Sequence, residues 1–209
     1  MGRYFAQDSK LASLERLMMT PPNFIPCGGG VMLICTINEM AGTPTLAELA
    51  QELIRPWDHI GLKRRVIQLV RRTGNFLFDG QLHAMRLLKL SDSSEKAVSS
   101  KWMAAAYLLS SSATLWQRTL LAITPGNINF DAVKLGDTSI RDYTLYRAAK
   151  GLYHGRLGVA ADELADEELV SDNTLLMIVN AALIARFGPK VMEIGRNEDS
   201  VWVMSSKWY

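Results

Sequence analysis

Along most of the chain, apolar residues recur every three to four positions and only rarely on alternate ones, which predicts helices rather than strands. Leu11, Leu14, Leu17 and Met18 form one stripe over 9–19, with Asp8 or Ser9 placed to cap it and Pro21–Pro22 to stop it. Thr45 and Glu48 have the spacing of a capping box ahead of Leu46, Leu49, Ala50 and Leu53, and Arg55–Pro56 ends that helix. LKRRVIQLVRRT predicts the next helix over 62–73, closed by Gly74. Another is expected over 78–90 with Asp79 as its cap, followed by a long apolar run over 91–124 that the serines at 110–112 divide.

TPGNIN over 124–129 reads as a turn, and 130–139 has room for one short helix. A stronger helix is predicted over 139–155, with Ile140, Tyr143, Leu145, Tyr146, Ala149 and Leu152 as its packing face. The last helices are predicted within VAADELADEEL and over 173–188, the latter capped by Asp172 or Asn173 and ended by Gly188–Pro189. VMLICTI at 31–37 reads either as a short buried strand or as a helix start, and 201–209 alternates like a strand and is expected to dock. The expected fold class is mainly α: a compact bundle of short antiparallel helices forming one domain over 1–209, with room for a minor strand near 31–37 or at the C-terminus.

Two stretches echo each other. Residues 47–74 and 162–188 each begin near Glu-Leu-Ala on a short helix, break, and continue in a longer helix that ends in Arg, one residue and Gly. Either a duplicated two-helix unit or convergence on ordinary hairpin patterning accounts for this, and convergence is the simpler account because Leu and Ala are common.

Composition adds little until charge is mapped. The chain has 209 residues, 48% apolar and 21% charged, the balance of a globular protein rather than a disordered one. No apolar run is long enough to span a bilayer, and the N-terminus lacks signal-peptide and myristoylation patterns, so a soluble cytoplasmic protein without membrane contact is the expectation. The formal net charge of +2 argues for no partner by itself. Its distribution is uneven: residues 55–89 hold eight Lys or Arg against two acids, whereas 157–172 hold six acids and no base.

At about 100° per residue, Leu62, Val66, Leu69 and Val70 fall on one side of the 62–73 helix, and Arg64, Arg65, Arg71 and Arg72 on the other, with Lys63 near the boundary. Exposed guanidinium forks suit phosphate, so Lys63, Arg64, Arg65, Arg71 and Arg72 are candidate contacts for DNA or RNA. Base readout has less support, since Gln68 stands without a second amide and RPWDHIG is long for a helix-turn-helix link. The plainer reading is a solvated helix face, with Arg71 and Arg72 favoured by the helix dipole, or a surface that meets protein. Its acidic counterpart is Asp162, Glu163, Asp166, Glu167 and Glu168, in which Asp162 and Asp166 are expected to share one helical face and Glu163 and Glu167 another, and which is able to meet the basic helix within the chain or on a second copy.

Catalytic signals are weak. PCGGGVMLIC has neither the Lys-Ser or Lys-Thr of a phosphate loop nor dinucleotide-site spacing. Cys27 and Cys35 make no disulfide framework, and neither has a catalytic partner in sequence. His59, His83 and His154 form no ligand pair, and structural roles are expected for them. No metal or cofactor is expected, and Trp102, Trp116, Tyr143, Tyr146 and Tyr153 are assigned to packing or to an interface. The leading functional expectation is a non-enzymatic macromolecular interaction protein with segregated basic and acidic helical surfaces, acting through a protein partner or self-association. The alternative is a helical nucleic-acid-binding accessory or regulatory protein, and an enzyme ranks third.

Overall fold

The computed structural model describes residues 24–27, 30–33, 44–74, 78–92 and 98–193. The chain divides into two compact units, Met1–Pro44 and Thr45–Tyr209. In the first, β1 (Phe24–Cys27) and β2 (Gly30–Leu33) form an antiparallel pair in which Phe24 faces Leu33 and Cys27 faces Gly30. The strand alternative for the apolar run after the glycines therefore holds for Val31–Leu33. The helix expected over 9–19, Cys35 and the tail over 201–209 lie outside the described residues.

The second unit is a multi-helix bundle. Its elements are α1 (Leu46–Ile54), α2 (Ile60–Thr73), α3 (Gln81–Asp92), α4 (Ser100–Leu109), α5 (Ala113–Thr119), α6 (Ile140–Tyr153), α7 (Ala161–Ala165) and α8 (Asp172–Phe187). Two-residue strands β3 (Ile123–Thr124) and β4 (Asn127–Ile128) pair around the predicted turn, and the short helix expected beyond it is a single 3-10 turn, Phe130–Ala132. The mainly helical fold class is thus observed, with only short antiparallel strand pairs.

The core follows from the helices that are apolar all round. Trp102 through Leu109 in α4 and Thr174 through Ile184 in α8 are continuously buried, as a helix must be when it has no polar face. α4 packs against α8 and α6, α1 against α2 and α8, and α2 against α7 and α8. The break between α4 and α5 falls at the predicted serines: Ser110 and Ser111 turn their hydroxyls back onto Tyr107 and Leu108 carbonyls, and Ser112 caps α5. Ser99, Ser139 and Ser171 cap α4, α6 and α8 in the same way.

Three local expectations change. The cap of α8 is Ser171, whose Oγ accepts from Thr174 N–H, rather than Asp172 or Asn173, so Asp172 opens the first turn with its carboxylate available elsewhere. Ile140 and Tyr143 lie on the exposed side of α6, because the helix turns Leu145, Ala148, Ala149 and Leu152 inward. Asp79, expected as a cap, pairs through its carboxylate with Arg141.

One close approach sets the path into α7. A Cβ on Gly151 of α6 would lie 2.5 Å from Gly158 Cα, and one on Gly158 would lie 2.3 Å from the Arg147 carbonyl oxygen. Gly158 also has φ of 79°, where a side chain is strained. Two glycines thus let the chain cross α6 backbone to backbone before it enters the acidic segment.

Candidate basic interface on the second helix

α2 begins one turn's edge earlier than the sequence suggests, because His59 acts as its cap. Its Nδ1 accepts from Leu62 N–H at 2.9 Å, and its Nε2 lies 3.0 Å from Asp162 Oδ1. The first contact needs an unprotonated Nδ1, so the proton of the neutral ring sits on Nε2 and is donated to the carboxylate. The helix ends as predicted at Gly74, whose φ of 72° and N–H bond to the Val70 carbonyl close it.

The five basic residues of α2 separate into three environments. Arg65 is buried, at 6% exposure, which corrects its placement on an exposed stripe. Its guanidinium donates to the Leu164 carbonyl at 2.8 Å, the Val170 carbonyl at 2.6 Å and Asp172 Oδ1 at 2.9 Å, with Glu167 3.9 Å from Nε. The physical reason is that α7 and the turn after it pack over this part of α2 and leave carbonyls that need donors. A planar fork with several donors serves two carbonyls and a carboxylate together, which a lysine cannot. Arg72, two helical turns further along on the same face, donates to the other oxygen of Asp172 at 2.8 Å. The Arg65 hydrogen bond, joined by that from Arg72, holds the Asp172 carboxyl below the usual carboxylate range.

Lys63, Arg64 and Arg71 face the other way. With Ile54, Ile60 and Ile67 they line an open groove of about 750 Å³ between α1 and α2. Lys63 Nζ donates to the Arg55 carbonyl at 3.0 Å. Arg64 and Arg71 are exposed and form no ion pair among the described residues. The groove's two carboxylates are already partnered: Glu48 completes the capping box with Thr45, and Glu52 pairs with Arg55, which also lines the groove. Ile60 at the groove is 72% exposed, an aliphatic side chain left in water beside cations.

The acidic residues are also redistributed. Helix α7 ends at Ala165, so Asp166, Glu167 and Glu168 lie on a turn and do not repeat the helical spacing expected of them. Asp162 meets His59, Glu163 pairs with Arg147 at 2.9 Å, and Asp166 accepts from Glu168 N–H at 2.8 Å. Glu168 is exposed without an ion pair among the described residues, and the adjoining Leu169 is 55% exposed. The basic and acidic segments therefore do meet within the chain, but through Arg65, Arg72, His59 and Asp172 rather than across their full width.

His59 and Asp172 are the site residues that sequence reasoning undervalued. A signal for the second was present: Ser171 stands three residues before Thr174, a cap spacing that frees Asp172 for other partners.

His83 lies apart from this surface, in the core. Its Nδ1 accepts from Asp79 N–H at 3.0 Å and its Nε2 lies 2.7 Å from the Tyr107 carbonyl, so both ring nitrogens of the neutral form are satisfied. Burial lowers its pKa to about 4, against the weaker opposing pull of the Tyr107 carbonyl. The Tyr107 hydroxyl, also buried, donates to Met177 Sδ at 3.2 Å and is raised by burial. These groups are packed and satisfied.

Among the described residues no cluster of three or more His, Cys, Asp or Glu is placed to hold a metal, and no helix is long and apolar enough to cross a membrane. No family model, curated protein or solved structure matches the chain.

Proposed function

We propose that this protein is a macromolecular interaction module that presents the α1–α2 groove to a protein partner. One observation carries the reading: of five basic residues on α2, Arg65 is buried and Arg72 is paired with Asp172, and the other three line a groove with exposed isoleucine. Cations beside solvent-exposed aliphatic surface fit an acidic protein segment with an apolar anchor, since both the charges and the apolar area then gain a partner. The nucleic-acid alternative has less support. Arg65 and Arg72 are engaged with carbonyls and a carboxylate, which leaves fewer guanidinium forks for phosphate.

The test is a photo-crosslinking amino acid placed at Gln68 in the groove, compared with the same group at exposed Gln117 on α5. The expected result is a discrete protein adduct from Gln68 and none from Gln117. Nucleic acid in the Gln68 adduct favours the alternative. No adduct from Gln68 under conditions where the protein is folded refutes the proposal.

A further inference from the structure

We infer that the groove is occupied by a second copy of this chain, which inserts its own acidic turn, Asp166–Leu169. This rests on the interface reading above and names its partner.

The two surfaces are complementary in both charge and apolar character. The groove offers Arg64 and Arg71, which lack carboxylate partners among the described residues, beside Ile60 and Ile67. The turn offers Glu168, which lacks a cation among the described residues, with Glu167 76% exposed beside it and Leu169 projecting next in sequence. Each surface leaves uncovered what the other supplies: unpaired charge of one sign and an aliphatic side chain in water.

The chain already shows this mode of recognition on the other side of α2. There Arg65 and Arg72 grip the segment that runs from Leu164 to Asp172 by its carbonyls and its carboxylate. The exposed turn, Asp166–Leu169, is the middle of that gripped segment, so it is held in place before any partner arrives. A preordered acidic turn loses less conformational freedom on binding than a flexible one. The groove lies on the face of α2 that carries Arg64, about 100° around the helix from Arg65 and the turn that Arg65 holds. In a two-fold arrangement each copy's turn meets the other's groove, giving two equal contacts and a closed dimer.

The test measures the mass of the full chain in solution across concentration and salt, with Arg64→Glu and Glu168→Lys variants and their equimolar mixture. Both substitutions are at exposed positions, and thermal melts establish that each variant is folded. The wild-type mass is expected to rise from 23.3 kDa toward twice that value with concentration, and to fall back at high salt. Each variant alone is expected to self-associate at least about tenfold more weakly. The mixture is expected to recover association, because both contacts then pair opposite charges.

A wild-type chain that stays monomeric at every concentration overturns the inference. So does a dimer indifferent to both substitutions, or a mixture that fails to recover. The Gln68 crosslink separates this outcome from failure of the broader reading. An adduct of twice the chain mass supports self-association, whereas an adduct with a different protein overturns it and leaves the interface reading standing. No adduct at all removes both.

Discussion

Arg65 donates to two carbonyls and a carboxylate in the interior, whereas Arg64, one residue earlier, ends in solvent beside a groove. Their side chains are chemically identical and leave α2 about 100° apart. The difference lies in what the chain places opposite them. Opposite Arg65 it brings the end of α7 and the turn beyond it, whose carbonyls are shielded from water and need donors. Opposite Arg64 it brings α1, whose acids are already committed. One half of the basic helix is therefore structural and the other half remains available, and charge counted along the sequence does not distinguish them.

The largest effect that tests this contrast is Arg65→Ala. Removing a buried guanidinium leaves the Leu164 and Val170 carbonyls without their donor and should destabilise the fold by about 3 to 4 kcal/mol. Arg65→Lys should recover less than half of that loss, since one ammonium cannot span the three acceptors. Urea unfolding of both variants measures this, and a loss no greater than that of Arg64→Ala would erase the proposed difference between the two residues.

Acid separates the Arg65–Asp172 clamp from the core. His83 has a folded-state pKa of about 4 against an ordinary 6.5, so the folded state binds fewer protons than the unfolded one between those values. Its contribution is fully present above pH 6.5 and is lost as pH falls toward 4, amounting to about 3 kcal/mol over that window. Asp172, whose folded pKa is depressed, contributes above the ordinary carboxylate range and loses that contribution only at lower pH. Stability curves against pH for wild type and His83→Gln should therefore diverge in slope between pH 6.5 and 4 and run parallel below. Equal slopes in the upper window would show that His83 is not buried neutral.

Gly151→Ala sharpens the comparison from a distance. The added methyl would strike the backbone at Gly158 and displace the strand of chain that leads into α7 and the Arg65 acceptors. A cost of about 2 kcal/mol is expected. Combined with Arg65→Ala, the two losses should fall short of their sum, because both loosen the same segment. Full additivity in the double variant would uncouple the glycine contact from the clamp.

The smallest stability effects belong to the solvent side. Arg72→Ala should cost less than about 1 kcal/mol, since its ion pair with Asp172 is largely exposed and Arg65 retains the same carboxylate. Arg64→Ala should change stability by no more than about 0.5 kcal/mol while weakening partner capture at the groove. A substantial loss of stability from Arg64→Ala would mean that the groove side is structural as well.

Much of this molecule was legible in its sequence. The capping box at Thr45 and Glu48, the serine break after Leu109, the glycine stop at position 74 and the apolar faces of α1 and α2 all depend on interactions within a few residues. Local hydrogen bonds and side-chain periodicity act over that range, so the pattern records them directly. The mainly helical class follows because those local signals agree along the chain.

The site required contacts across about a hundred positions of sequence, as between Arg65 and Val170 or Asp172. Periodicity places Arg65 on the polar side of α2, and so it is expected in water. Only the packing of α7 against α2 reveals that this polar side is covered, that carbonyls lie there without donors, and that a guanidinium is retained to serve them. The sequence by itself determined the helical class, the approximate extent of most helices and where charge lies along them. The tertiary structure decided which of those charges are spent inside the fold, because burial and the demand for hydrogen-bond partners are set by what comes to lie opposite each side chain.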